Sequence, residues 1–144
     1  MITQIRHSGI VVEDLKVALD FYRDMLGFKV ENSMHETGPF IESILGLKDI
    51  EVTTVKMSAP DGNLIELLYF KPHKKDAKNL ERRIFDFGIS HIALTVDNLE
   101  SDYQRLKLAG AHFFSAPKIN VELTATVAFC KDPFGNILEL VQTL

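Results

Sequence analysis

Apolar positions along this 144-residue chain fall into one pattern that occurs twice. Residues 5–12 run through Ile5, Ile10, Val11 and Val12 and predict a strand. Asp14 then stands where a helix N-cap belongs. Leu15, Ala18, Leu19, Tyr22 and Leu26 follow at helical spacing on one face, and Gly27 marks the stop. Strand pattern resumes at 28–30. Residues 52–57 and 64–70 flank Pro60-Asp61-Gly62-Asn63 and predict a hairpin. The second half predicts a strand at 89–96, a helix at 99–109 stopped by Gly110, and strands near 112–114, 124–130 and 137–142. Each half therefore reads strand-helix-strand-strand-strand. Residues 31–47 are the least periodic, and with Gly38-Pro39 they predict a long loop of the kind that often carries function.

The halves also echo each other residue by residue. Arg6-His7-Ser8-Gly9-Ile10-Val11-Val12-Glu13-Asp14-Leu15 matches Ser90-His91-Ile92-Ala93-Leu94-Thr95-Val96-Asp97-Asn98-Leu99. Asp61-Gly62-Asn63-Leu64-Ile65-Glu66-Leu67 matches Asp132-Pro133-Phe134-Gly135-Asn136-Ile137-Leu138-Glu139-Leu140. His7 and His91 lie 84 positions apart and Glu66 and Glu139 lie 73 apart, so the first copy holds 11 more internal residues. The expected organisation is a first module at 1–70, a charged linker at 71–86 and a second module at 87–144. The linker reads as a solvated connector; a docking strip for an anionic substrate tail is the sharper alternative.

An apolar share of 46% and a charged share of 25% are those of an ordinary globular protein. The net charge of −4 gives no basic field for nucleic acid. No stretch approaches the roughly 20 apolar residues that span a bilayer, and residues 1–12 do not read as a secretory signal. A cytoplasmic protein without membrane or nucleic-acid partners is expected. A lone cysteine, Cys130, can form neither an intrachain disulfide nor a thiolate metal cluster. It lies in a predicted strand with no basic neighbour placed to activate it, and reads as a small core residue.

Four polar residues stand out because they interrupt apolar strands. His7 and His91 fall in the first strand of each half, Glu66 and Glu139 in the last. A buried, unpaired glutamate costs several kcal/mol. Singly, each has a bland explanation: an exposed or capped His7, a satisfied core His91, a glutamate on the wet face of a sheet. Their recurrence at matching positions asks for a common cause, and a divalent cation held by two carboxylates and two imidazoles uses all four. His35, His73 and His112 fall outside the repeat and read as structural.

These residues carry a resemblance to the vicinal oxygen chelate superfamily, which includes glyoxalase I, methylmalonyl-CoA epimerase, extradiol dioxygenases and bleomycin resistance proteins. The matching segments are those around His7, Phe21-Tyr-Arg-Asp-Met-Leu-Gly-Phe28, and those around Glu66, His91 and Glu139. The resemblance implies an α+β fold of two βαβββ modules whose curled mixed sheets surround a metal-binding cleft. It implies His7, Glu66, His91 and Glu139 as ligands of one divalent ion (zinc, nickel, cobalt, manganese or ferrous iron), contributed by one chain or by two in a homodimer. This ligand set is most like that of glyoxalase I. Some epimerases have Gln where Glu66 stands, and extradiol enzymes use two His and one Glu. The expected activity is that of a metal-dependent lyase or isomerase acting on a small molecule. A proton next to a carbonyl would be abstracted through a metal-stabilised enediolate or enolate, with Glu139 the first candidate base and Glu66 the second. A binding or resistance protein with a degenerate site is the alternative, and an iron-dependent extradiol dioxygenase the more distant one.

Overall fold

A computed structural model describes residues 1–71 and 82–144 and divides the chain into two compact units, Met1–Asp76 and Ala77–Leu144. Most of the expected linker, with His73, lies outside the described residues. Among the described residues, no helix is long and apolar enough to cross a membrane.

The first unit runs β1 (Ser8–Val12), α1 (Leu15–Leu19), a π-helical segment (Asp20–Met25), β2 (Lys29–Thr37), α2 (Pro39–Leu45), β3 (Glu51–Ser58) and β4 (Leu64–Lys71). Its sheet has the order β1-β4-β3-β2. The first and last strands lie side by side and parallel, and the other neighbours are antiparallel. Asp14 caps α1 by accepting a hydrogen bond from the Val17 amide at 3.0 Å. Gly27 ends the helical run at φ 80°, a conformation a Cβ would oppose. Alternation in the strands sends Ile10, Val12, Val55, Met57, Ile65 and Leu67 to one buried face, where α1 contacts β4. Glu66, its β3 partner Lys56 and its β1 partner Gly9 share the opposite face. At one end of that face Ile41 and Ile50 pack with Val52, Leu68 and Phe70.

Residues 31–47, expected as a loop, form most of β2 and all of α2. Among the described residues β2 pairs with β3 alone, and it is polar and exposed along most of its length, so it lacks the apolar alternation that announces a strand. The segment α2 is one short helix opened by Gly38 (φ 86°) and Pro39 and closed by Gly46 in the left-handed region.

The second unit runs β5 (Ile92–Thr95), α3 (Leu99–Leu108), β6 (His112–Phe113), β7 (Lys118–Ile119), β8 (Ala125–Lys131) and β9 (Ile137–Thr143). Its sheet follows β5-β9-β8-β6 with β7 also on β8, and again the first and last strands are parallel neighbours. The two-residue β7 has no counterpart among the expected strands. Leu99 and Leu106 of α3 and Ala128, Cys130, Leu138 and Leu140 of the sheet form its buried side. The Gln142 side chain fixes the helix start by accepting from the Leu99 amide at 2.8 Å. Both units are thus mixed α+β arrangements of strand-helix-strand-strand-strand type.

Candidate metal centre

In each unit the parallel pair of outer strands brings together one histidine and one glutamate. Glu66 lies opposite Gly9, two residues after His7, and Glu139 lies opposite Ala93, two residues after His91. The registers are the same. Both histidines sit one residue ahead of the paired strand, where the expected strands had contained them. Nε2 of His7 is 3.1 Å from Oε2 of Glu66, and Nε2 of His91 is 3.1 Å from Oε2 of Glu139. Within either unit, among the described residues, no further His, Cys, Asp or Glu joins its pair to make a group of three.

The surroundings of the two pairs differ. Across the antiparallel β3–β4 ladder Glu66 faces Lys56, whose Nζ is 3.6 Å from Oε1. Across β8–β9 Glu139 faces Phe129, whose ring meets the His91 ring edge-on at 5.2 Å and lies nearly parallel to Phe114 at 6.4 Å. Nδ1 of His91 is 2.8 Å from the Ser90 hydroxyl. Nδ1 of His7 is buried and has no hydrogen-bond partner among the described residues. An orphaned buried nitrogen costs about 1–3 kcal/mol. Stability alone gives no reason to keep it, and such groups concentrate at functional sites.

The donors fit a divalent ion. Imidazole nitrogen and carboxylate oxygen together suit first-row divalent metals without selecting one. Two donor atoms each about 2.1 Å from an ion, at right angles, stand about 3 Å apart. Each His–Glu pair has that spacing, which also serves a hydrogen bond between the two side chains. The Ser90 hydroxyl can hold Nδ1–H of His91 and leave Nε2 free as a ligand, the outer-shell arrangement that metal-bound histidines favour.

The remaining residues fall outside the pairs. His35 lies on the exposed edge strand β2, with Nδ1 3.1 Å from Thr53 Oγ1 and Nε2 3.1 Å from Glu51 Oε1. His112 begins β6 opposite Lys131. Cys130 is fully buried, and that burial, reinforced by the Asp132 carboxylate, pushes its thiol up to about 12. It is not an activated nucleophile. Lys56, Phe129 and the Ser90 contact were not singled out from sequence. The hairpin registers explain them: five residues to either side of Asp61 stand Lys56 and Glu66, and five to either side of Phe134 stand Phe129 and Glu139.

Comparison with known proteins bears on the family and the fold. The chain is 30% identical over 135 residues to the uncharacterized protein YurT of Bacillus subtilis, spanning 94% of this chain and 95% of that one. It is 28% identical to a probable lactoylglutathione lyase of Synechocystis sp., over 95% and 93% of the two chains. A crystal structure of a glyoxalase family protein from Bacillus cereus superposes with a TM-score of 0.89, covering 100% of this chain and 96% of that one at 23% identity. The family model for the glyoxalase/bleomycin resistance protein/dioxygenase superfamily matches residues 4–140, and the chain belongs to that superfamily.

Proposed function

We propose that this chain is a cytoplasmic, metal-dependent lyase or isomerase of glyoxalase or epimerase type that moves a proton next to a substrate carbonyl. In this reading His7, Glu66, His91 and Glu139 hold one divalent ion, from one chain or from the two chains of a homodimer. The observation that carries it is the pair of matched His–Glu contacts, set at the same register in both units. Likeness to a probable lactoylglutathione lyase supports the reaction class.

When bound, the ion supplies Lewis acidity that weakens a C–H bond beside a carbonyl. The chain's own groups do the rest. Glu139 is the base, and its apolar neighbours support that role. Phe129 faces it across the ladder where Glu66 faces a lysine, and His91 is its one ion-pair partner among the described residues. Glu66, 3.1 Å from His7 and facing the Lys56 cation at 3.6 Å, is the second candidate for the base.

The reaction class is tested by solvent deuterium exchange under nitrogen, followed by NMR. The test compounds are a 2-oxoaldehyde thiol adduct and a 2-substituted malonyl thioester. Incorporation at the α-carbon that requires added divalent metal is the expected result. Turnover that consumes oxygen would instead make the chain a dioxygenase. Binding without exchange, by protein that retains no metal, would make it a sequestering protein.

A further inference from the structure

We propose that an open cleft in the first unit, bordered by Lys56, the cross-strand partner of Glu66, binds the anionic end, carboxylate or phosphate, of the substrate, with Lys56 as the residue that selects it. The assignment rests on the proton-transfer reading above and adds a substrate class to it.

The cleft lies in the first unit at one end of the sheet face that carries Glu66. Its volume of about 690 Å³ is in the usual range for small-molecule sites. Lys29, Glu31 and Asn32 of β2, Lys56 and Ser58 of β3, and Leu64 of β4 line it. Cross-strand register explains the grouping. Asn32 is opposite Lys56, Lys56 is opposite Glu66, and Glu66 is opposite Gly9, so one row crosses all four strands and leads from the cleft to the His–Glu pair. A break in the β2–β3 register between Val30 and Asn32 is also part of the cleft. In a regular strand Glu31 and Asn32 would point to opposite faces; with the bulge both line the same cavity.

Charge then identifies the ligand. Glu31 is already satisfied, with Lys29 Nζ at 3.1 Å and the Ser58 hydroxyl donating to it at 2.7 Å. Those contacts hold its carboxyl below the usual range, so it remains an anion committed to its neighbours. Lys56 is different. Its one partner among the described residues is Glu66 at 3.6 Å, which is too long for a good hydrogen bond and leaves its donors available. The Asn32 amide, beside it in the row, has no side-chain partner among the described residues. A cation with spare donors, an unengaged amide and a neutralised acid make a cleft that favours an anion. The second unit has Phe129 at the position equivalent to Lys56 and offers no such cation there. The asymmetry between the repeats therefore places the anion-selecting cation in the first unit.

The probes are glutarate, inorganic phosphate and the neutral diamide glutaramide, titrated into the full chain and followed by backbone amide NMR. The variants are Lys56→Met, Lys56→Arg and Lys29→Met. Metal binding by the same wild-type samples is measured separately by equilibrium dialysis. Glutarate or phosphate should shift the Asn32, Lys56, Ser58 and Gly62 amides saturably, and glutaramide should not. Whichever anion binds more tightly identifies the tail chemistry. Lys56→Met should weaken it about 10- to 100-fold, as loss of a charged hydrogen bond does, while Lys56→Arg retains it and Lys29→Met costs less. Equal binding of glutaramide, no saturable shift with either anion, or unchanged affinity in Lys56→Met would overturn the proposal. Anion binding by protein that holds no metal would sink the proton-transfer reading and leave the cleft standing.

Discussion

Lys56 stands to Glu66 as Phe129 stands to Glu139: each is the antiparallel partner of its glutamate in the ladder that ends the unit. One carboxylate faces a cation across the ladder and the other faces a phenylalanine. The duplicated framework thus presents two copies of one His–Glu pair in opposite electrostatic settings.

Four ligands for one ion make a stoichiometric expectation. Wild-type protein purified without chelator should hold one divalent metal for each set of His7, Glu66, His91 and Glu139. Alanine at any of the four should lower the occupancy, read by mass spectrometry of dialysed protein. Full occupancy in His91→Ala would remove that residue from the set.

Glu139→Gln separates binding from chemistry. An amide oxygen can still coordinate, so much of the metal should remain, whereas loss of the general base should slow exchange about 10²–10⁴-fold. Glu66→Gln should slow it less. Equal rates in Glu139→Gln and wild type would transfer the proton to another group.

Asp132 anchors the last turn before the Glu139 strand. It is buried, and its carboxylate accepts from the Phe134 amide (2.9 Å), the Asn136 amide (2.8 Å) and the Asn136 side chain (2.8 Å). Asp132→Ala leaves those donors unmatched and should cost about 1–3 kcal/mol, measured by urea unfolding. Asp61 makes the corresponding contacts to Asn63 in an exposed turn, and Asp61→Ala should cost less.

Cys130 gives a pH signature. Its thiol is raised from 9.0 to about 12 by burial in the folded chain, so unfolding releases a stronger acid. The contribution is intact below about pH 9 and is lost as pH climbs toward 12, by up to about 1.4 kcal/mol per pH unit. The stability gap between wild type and Cys130→Ala should therefore narrow between pH 8 and 10.5 in denaturant titrations. A constant gap would contradict the buried neutral thiol.

Self-association is the remaining expectation. Among the described residues β2 is paired on one side only, an edge that favours pairing with a second copy, and a homodimer should sediment at twice the chain mass at micromolar concentration. A monomer under those conditions would require one chain to supply any complete site.

Much of this was legible because burial imposes period. The strands around Ile10, Leu67 and Leu140 are apolar runs with one buried face, and the glutamates stand out because they interrupt those runs. Asp14 and Gly27 could be read because capping and left-handed turns admit few residue types. Beyond Val30 the edge strand β2 could not be read, since a strand paired on one side and wet on the other needs no apolar rhythm. The charged partner of Glu66 was hidden for a different reason: Lys56 looks like any surface lysine until the hairpin register is counted.

The placement of the first strand beside the last also governs when the His–Glu pairs can form. His7 is 59 positions from Glu66, and His91 is 48 from Glu139, so each pair is made by the longest-range strand pairing of its unit. Closing a long loop is entropically costly and slow compared with forming a hairpin. The β3–β4 and β8–β9 ladders can zip locally, while β1 and β5 must dock onto strands already in place. A chain arrested before that step would hold both glutamates in formed sheet and still lack the histidines beside them. In the proposed reading, metal capture by the pairs would follow that docking and would stabilise only chains that have completed their topology.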